Sequence, residues 1–288
     1  MGVYPKTIRM EIGNYANLYV VKTVDFGVYL ALLPDGDDTV LLPKRYITKP
    51  LEIGDQIDVF IYRDSEDRII ATTLKPYAKA GEFACLDVSN TIGAGAFLDW
   101  GLPKDLFVPI SEQRKRMEEG EQYLVYVYID DQTNRLVATA KVNRYLQDEC
   151  KELEAGDEAE ILVCNETDLG VKVIVNGRYW GMLYDNEIFQ TLLAGQRLKA
   201  YVKELREDGK LDMTLQKTGY EVVGEFTGLI LDELADNDGF LPLNDKSAPD
   251  DIYDTFEISK KNFKKAIGAL YKQRVITIEK DGIRMMKK

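Results

Sequence analysis

The residues with the clearest chemical purpose in this 288-residue chain are its clustered cations. Lys44 and Arg45 sit in the run "PKR", Arg114, Lys115 and Arg116 in "QRKRM", and Lys260, Lys261, Lys264 and Lys265 in "SKKNFKK". Grouped ammonium and guanidinium groups suit one task above others, neutralising phosphates with release of their counterions. Loop charges are also often merely solvated, so both meanings stand at this point. The absences narrow the chemistry. No histidine occurs, which removes the commonest general base, the commonest metal ligand and the usual partner of a serine or cysteine nucleophile. Cys85, Cys150 and Cys164 are odd in number and never spaced C-x-x-C, so reduced structural thiols are expected instead of a disulfide frame or zinc site. The acidic residues lie mostly in turns beside Gly and Lys, as solvated surface does. No Walker loop or dinucleotide fingerprint is present; "GAG" at Gly93 to Gly95 lies between two strand-like runs with no helix pattern after it. No catalytic residue, metal or cofactor is expected, and the chain reads as non-enzymatic.

The elements that position these cations belong to a chain with 45% hydrophobic residues and a formal net charge of −12. No apolar run approaches the ~18 residues of a membrane span, so no membrane partner is expected. The opening "MGVYPKTIRMEIGNY" lacks an apolar core, and Lys6 stands where a myristoylation signal wants Ser or Thr. The cytoplasm is the expected compartment. Internal repetition then dominates. Gly13, Gly81 and Gly156 are separated by 68 and 75 residues, and Gly27, Gly95 and Gly170 show the same two separations. Gly54, Gly120 and Gly195 follow at 66 and 75, and Thr72, Thr139 and Thr214 at 67 and 75. Such a period means three copies of one small domain, and it predicts domains over residues 1–77, 78–144 and 145–217, followed by a different domain over 218–288.

Within each copy the pattern is β. "LYVVKTV", "GVYLALL", "DTVLLP", "QIDVFIYRD" and "RIIATTL" are short runs rich in Val, Ile and Tyr, broken by Gly, Pro and Asp. Five strands in so short a unit have exposed edges, which closure into a small Greek-key barrel of the OB type removes. Units this small bury only about 60% of their unfolded surface, so they are expected to lean on one another or on a fourth unit.

From about Lys217 the period changes to helical. Val222, Phe226, Leu229, Ile230 and Leu234 recur at helical spacing, Pro249 with Asp250 and Asp251 suits the first turn of a second helix, and Ser259 can cap a third carrying Phe263, Ile267 and Leu270 on one face. "VITIE", a turn at Asp281-Gly282 and "IRM" then predict a hairpin. Three helices and a two-stranded wing make a winged helix, whose third helix is the one usually presented to nucleic acid. From Ser259 onward ten basic residues face two acidic ones, a balance of +8, whereas Glu221 to Glu257 carries one basic residue against eleven acidic. In an acidic protein such a patch binds a polyanion only if it is spatially segregated. The same lysines could instead pair with acidic surfaces of the protein's own barrels. Gly268 lies on the stripe of Lys261, Lys265 and Lys272, and a glycine inside a helix invites a close-approach explanation.

The order "FGVYL", "LLP", "IGDQIDVFIY", "DSEDRIIAT" resembles the S1 RNA-binding domain, and three such units before a winged helix resemble the conserved virulence factor B family of bacterial RNA-binding proteins. The resemblance implies single-stranded RNA as partner, with bases stacked on aromatic faces and phosphates followed by basic side chains. It puts Phe26 and Tyr29 on the binding face of the first unit with Asp64 and Arg68 beside them, and Phe97, Asp131 and Arg135 on that of the second, where Ala94 replaces the first aromatic. The third unit has Leu169 and Lys172 at the aromatic positions, and Lys210 where the others have Arg. Where the S1 pattern usually has histidine, Pro43, Pro109 and Tyr184 stand. The stacking surface is therefore expected to fade from the first unit to the third. Aromatics on strands are equally often packing residues, and strand arginines often pair with nearby carboxylates. The reading that results is a non-enzymatic, post-transcriptional RNA binder. A transcription factor reading DNA through the winged helix, and a scaffold docking a ribonuclease or the ribosome, stay open as alternatives.

Overall fold

The computed structural model describes residues 10–188, 190–216 and 220–286, with the side chains of 186 and 220–225 left out. Lys6, Lys217, Lys287, Lys288 and the side chain of Val222 lie outside the described residues. Three closed five-stranded barrels are followed by a small helical region. The first barrel comprises β1 (Tyr15–Val24), β2 (Gly27–Ala31), β3 (Thr39–Pro43), β4 (Gln56–Arg63) and β5 (Ile69–Thr72), closed in the order β1-β2-β3-β5-β4. The second repeats it with β6 (Phe83–Ile92), β7 (Gly95–Asp99), β8 (Leu106–Pro109), β9 (Gln122–Ile129) and β10 (Leu136–Thr139), and the third with β11 (Glu158–Thr167), β12 (Gly170–Val175), β13 (Tyr179–Tyr184), β14 (Arg197–Leu205) and β15 (Leu211–Thr214).

The repeated glycines and threonines are the residues that close each barrel. The long first strand slips register against its partner between Val20 and Lys22, between Val88 and Asn90, and between Val163 and Asn165. Such a bulge bends a strand so that it can pair on both sides. At each bulge the carbonyl of Val20, Val88 or Val163 accepts from the amide of Gly54, Gly120 or Gly195 at 2.8–2.9 Å. The amides of Gly13, Gly81 and Gly156 donate to Ile61, Val127 and Val202 on the far strand at 2.7–2.8 Å. Thr72, Thr139 and Thr214 are buried, and their hydroxyls accept from the amide two residues on. Gly27, Gly95 and Gly170 open the second strand of each barrel where a Cβ would collide with the facing carbonyl of Leu42, Val108 or Leu183. Sequence period and hydrogen-bond period are the same.

The backbone forms two compact units, one through Tyr145 and one from Leu146. In the first, both barrels share one apolar core running from Ile12 to Ala138. Trp100 of the second barrel lies edge-on to Phe60 of the first at 5.8 Å, and the amide of Tyr77 donates to the Trp100 carbonyl. These barrels do lean on one another. The second unit joins the third barrel to α1 (Tyr220–Asp236), α2 (Pro249–Phe256) and α3 (Lys260–Lys272), with β16 (Phe240–Leu241), β17 (Ile276–Ile278) and β18 (Ile283–Met285) in a sheet ordered β16-β18-β17. This is the winged-helix arrangement. Asp250 and Asp251 stand in the first turn of α2, where they complement the helix dipole, and Ser259 Oγ caps α3 by accepting from the Asn262 amide at 3.2 Å. Ile230, Leu234, Ile252, Phe263, Ile267, Leu270 and Ile283 form the core. Leu229, which shares the helical spacing, is 46% exposed and belongs to the outer face. The short β16 carries no sequence signal of its own.

Candidate nucleic-acid interface

In the first barrel Phe26 occupies the turn between β1 and β2, where no strand covers it, and is 58% exposed. Tyr29 points outward on β2 between buried Val28 and Leu30. Because Gly27 lets β3 approach closely, the Lys44 amide donates to the Phe26 carbonyl at 2.9 Å, which brings "PKR" against the aromatic turn. Phe26, Tyr29, Lys44 and Arg45 line an open cleft of about 760 Å³ with Asp64 and Arg68. The expected group of the first unit is thus assembled on one face.

Within that cleft Asp64 and Arg68 serve different ends. Asp64 is buried; its Oδ1 accepts from the amides of Glu66 and Arg68, and its Oδ2 from Nε and Nη2 of Arg68 at 3.0 and 2.7 Å. Burial works against its ionisation, but these donors outweigh it and hold its carboxyl below the usual range. Asp64 therefore organises the β4–β5 turn. Arg68, 63% exposed, also pairs with Glu66 at 2.9 Å, so its charge is shared between two carboxylates while its plane stays at the cleft. Arg45 lies 4.7 Å over the ring of Tyr46.

The second barrel presents a cleft of about 510 Å³. Phe97 points outward on β7, and the outward residue of β8 is Phe107, with ring centroids 5.2 Å apart. Gly95 makes the pair possible, since a Cβ there would also meet the Phe107 ring. Arg135 lines this cleft and donates to Asp67 Oδ2 at 3.1 Å. Two placements differ from expectation. The residue standing where Asp64 does is Asp130, whose amide donates to the Arg135 carbonyl as that of Asp64 does to Arg68; Asp131 is one residue further on and exposed. Arg114, Lys115 and Arg116 lie in an exposed loop and line no part of the second cleft, and Lys115 sits 5.8 Å over Tyr123.

In the third barrel Leu169 is 64% exposed at the place of Phe26, and Lys172 stands at the place of Tyr29 with Nζ 3.8 Å over the Trp180 ring. Trp180, Met182 and Tyr184 are the outward residues of β13. Lys210 pairs with Asp208 at 2.9 Å. On α3, Lys261, Lys264 and Lys265 are exposed and Lys260 half-buried, and among the described residues none of the four forms an ion pair. A Cβ on Gly268 would meet no atom within 4 Å, so nothing in the described structure requires a glycine there.

Comparison with known proteins gives this arrangement its frame. Residues 12–74 and 80–141 match the S1 domain, and residues 228–285 match the CvfB-like winged helix domain. Conserved virulence factor B of Staphylococcus epidermidis is 26% identical over 285 residues, covering 96% of this chain and 95% of that protein. Over nearly its whole length the chain is similar to conserved virulence factor B proteins. The uncharacterized protein YitL of Bacillus subtilis is 28% identical, covering 93% of this chain and 91% of that one. A solved multidomain protein with nucleic acid binding domains from Streptococcus pneumoniae is 26% identical and covers 96% of this chain and 98% of that chain, with a TM-score of 0.40. S1 and winged-helix domains are nucleic-acid-binding modules. No described helix is long and apolar enough to cross a membrane.

The later barrels carry outward-facing rings that the expected positions do not include. Phe107 supplies the second barrel with an aromatic pair, and Trp180 and Tyr184 supply the third with rings on β13 instead of β12. Alternation carried the signal: in "LFVP" the ring falls between two buried residues, and in "YWGMLY" Trp180 and Tyr184 share the outward phase. These rings stand on the third strand of their barrels and not the second, which a motif centred on "FGVYL" does not register.

Proposed function

We propose that this chain is a non-enzymatic protein that binds single-stranded RNA and acts post-transcriptionally in the cytoplasm, with four domains over residues 1–77, 78–144, 145–217 and 218–288. The observation that carries the reading is the first-barrel cleft: an exposed Phe26 and outward Tyr29 beside Lys44, Arg45 and Arg68. A ring open to solvent offers a face for an unpaired base, worth ~1–3 kcal/mol, and the adjacent cations follow its phosphates. Base pairs in a duplex keep their faces stacked and would leave these rings idle. Phe97 and Arg135 extend the same chemistry to the second barrel, and Lys260, Lys261, Lys264 and Lys265 add phosphate contacts from α3. Asp64 holds its turn, and Asp131, exposed beside the second cleft, is the weakest of the assigned contacts.

A second reading, duplex DNA gripped by the winged helix, is favoured by the exposed lysines of α3. The experiment is a titration of the intact protein with single-stranded RNA, single-stranded DNA and duplex DNA of one sequence at two salt concentrations. RNA binding tightest, with Phe26→Ala weakening it, is the expected result. Duplex binding tightest, insensitive to Phe26, overturns the proposal in favour of the second reading. An intact protein that binds no nucleic acid returns the function to a protein scaffold.

A further inference from the structure

The second-barrel cleft contains residues that no single barrel supplies. Its aromatic floor, Phe97, Phe107 and Trp100, belongs to the second barrel, whereas Tyr62, Arg63 and Ser65 come from β4 of the first barrel and the turn after it. Lys104 reaches across from the second barrel, its Nζ donating to the carbonyl of Asp64 at 2.7 Å. Arg63 answers in the other direction, with Nε donating to the carbonyl of Asn134 at 3.3 Å and Nη1 to that of Asp67 at 2.8 Å. Arg63, Lys104 and Arg135 are thereby held around Asp67 at the junction of the two barrels, Arg63 on its backbone carbonyl and Lys104 and Arg135 at 3.8 and 3.1 Å from its carboxylate.

Cations gather at that junction. The one carboxylate that lines the cleft, Asp105, accepts from Ser89 Oγ at 2.6 Å, and Asp64 next door is bonded by Arg68. Arg63, Lys104 and Arg135 line the cleft beside that single lining carboxylate, in a protein whose formal net charge is −12. The titration of Lys104 reflects the crowding: burial lowers its pKa first, Asp67 and Asp64 oppose, and Arg135 and Arg63 lower it again. Asp67 is held below the usual carboxylate range, chiefly by the hydrogen bond from Arg135. One anionic group arriving here would relieve the mutual repulsion of the cations.

Two aromatic rings and three cations lining one cleft match a nucleotide, an apolar flat base joined to a phosphate. We propose that the junction is a composite nucleotide site, in which a base of the bound strand stacks on Phe97 and Phe107 while its phosphate is held by Arg63, Lys104 and Arg135, so that one strand runs from the second barrel onto the first. The inference rests on the RNA-binding reading above and assigns it two residues, Arg63 and Lys104, that the repeat pattern does not mark. A site made by both barrels needs them fixed relative to each other, and their shared core and the packing of Trp100 on Phe60 supply that rigidity.

The test uses the intact protein and a fluorescein-labelled, mixed-sequence single-stranded RNA of about 16 nucleotides, the upper end of one barrel's usual site of ~4–16. The variants are Arg63→Gln with Lys104→Gln, Phe97→Ala, their combination, and Phe26→Ala as a reference in the first-barrel cleft, each checked for an unchanged thermal midpoint. The Gln pair is expected to lower the slope of log affinity against log salt by ~0.7 for a phosphate no longer neutralised, and Phe97→Ala to weaken binding about 5- to 150-fold. Combined, they should weaken binding by less than the product of the two, because both dismantle one site, whereas Phe26→Ala with the Gln pair should multiply. If the Gln pair melts early, Arg63→Lys and Lys104→Arg, which keep the charge, must retain the slope. An unchanged slope with Phe26→Ala still harmful overturns the composite site and leaves Arg63 and Lys104 as inter-barrel fasteners. A parent protein that fails to bind the RNA at all overturns the RNA reading itself.

Discussion

Phe26 and Tyr29 differ from the core aromatics in what surrounds them. Phe60 and Phe263 are wholly buried, whereas Phe26 is 58% exposed and Tyr29 faces outward on its strand. Replacing Phe26 and Tyr29 by Ala is therefore expected to weaken binding of single-stranded RNA by ~1–3 kcal/mol for each base that loses its platform, with little change in melting temperature; unfolding of the pair would assign them to packing. Asp212 poses the opposite case. It stands where the first two barrels have Ile70 and Val137, and its Oδ1 is buried without a hydrogen-bond partner. Burial is the main cause of its raised pKa, with Glu204 adding to it and Arg206 opposing. An acid raised in the folded state is more readily ionised when unfolded, so it destabilises the fold fully above its raised folded value, and the penalty fades as pH falls through that value and is gone below the unfolded value of about 3.9. Asp212→Val should raise the melting temperature at pH 7, in line with ~1–3 kcal/mol for a buried unsatisfied group, and the gain should vanish near pH 3. A Val variant that melts lower at pH 7 would show that Asp212 has a partner worth more than its burial penalty.

At the scale of the element, α3 is the clearest case of a face that forms no ion pair among the described residues. Phe263, Ala266, Ile267 and Leu270 bury one side, and Lys261, Lys264 and Lys265 stand exposed on the rest. Reversing Lys260, Lys261, Lys264 and Lys265 to Glu should depress RNA affinity sharply and move the melting temperature little, because exposed charges contribute only ~0–1 kcal/mol each. A large fall in stability with affinity intact would instead assign the lysines to holding the protein together. Elements of this kind were legible in the sequence. The helix could be read from its period and its Ser259 cap, and each barrel from repeated glycines whose hydrogen bonds and close approaches recur at the same positions. What stayed hidden has a common physical form. Phe107, Trp180, Arg63 and Lys104 acquire their roles from the strand or barrel that packs beside them, and a pairing across 40 or 71 residues, as in the bonds from Lys104 to Asp64 and from Arg63 to Asn134, leaves no local pattern. The one-residue displacement of Asp131 from Asp130 has the same origin, since turn length is fixed by backbone hydrogen bonds and not by residue type.

At the scale of the whole molecule the problem is how a chain of net charge −12 holds a polyanion. Long-range repulsion between them is screened beyond about 10 Å at 0.1 M salt, whereas a phosphate seated against cations releases its counterions and loses affinity as salt rises. The two effects have opposite signs in salt, so the slope of log affinity against log salt separates local contacts from the field of the whole protein. Lys44 and Arg45 line the first-barrel cleft, while Arg114, Lys115 and Arg116 sit in a loop outside the second. Neutralising Lys44 and Arg45 with Gln is expected to make the slope shallower by ~0.7 for each phosphate that goes unneutralised. The same substitution at Arg114, Lys115 and Arg116 changes the protein's field by one charge more, yet it removes no cation from a cleft. It should therefore weaken affinity only slightly and change the slope by less than the Lys44 and Arg45 substitutions do. Filter binding or fluorescence anisotropy across a salt series reads both quantities from one data set. Equally shallow slopes from the two sets of substitutions would mean that the strand runs over the 114–116 loop as well as through the clefts. A slope untouched by Lys44 and Arg45 would mean that binding to the first barrel is stacking without phosphate neutralisation.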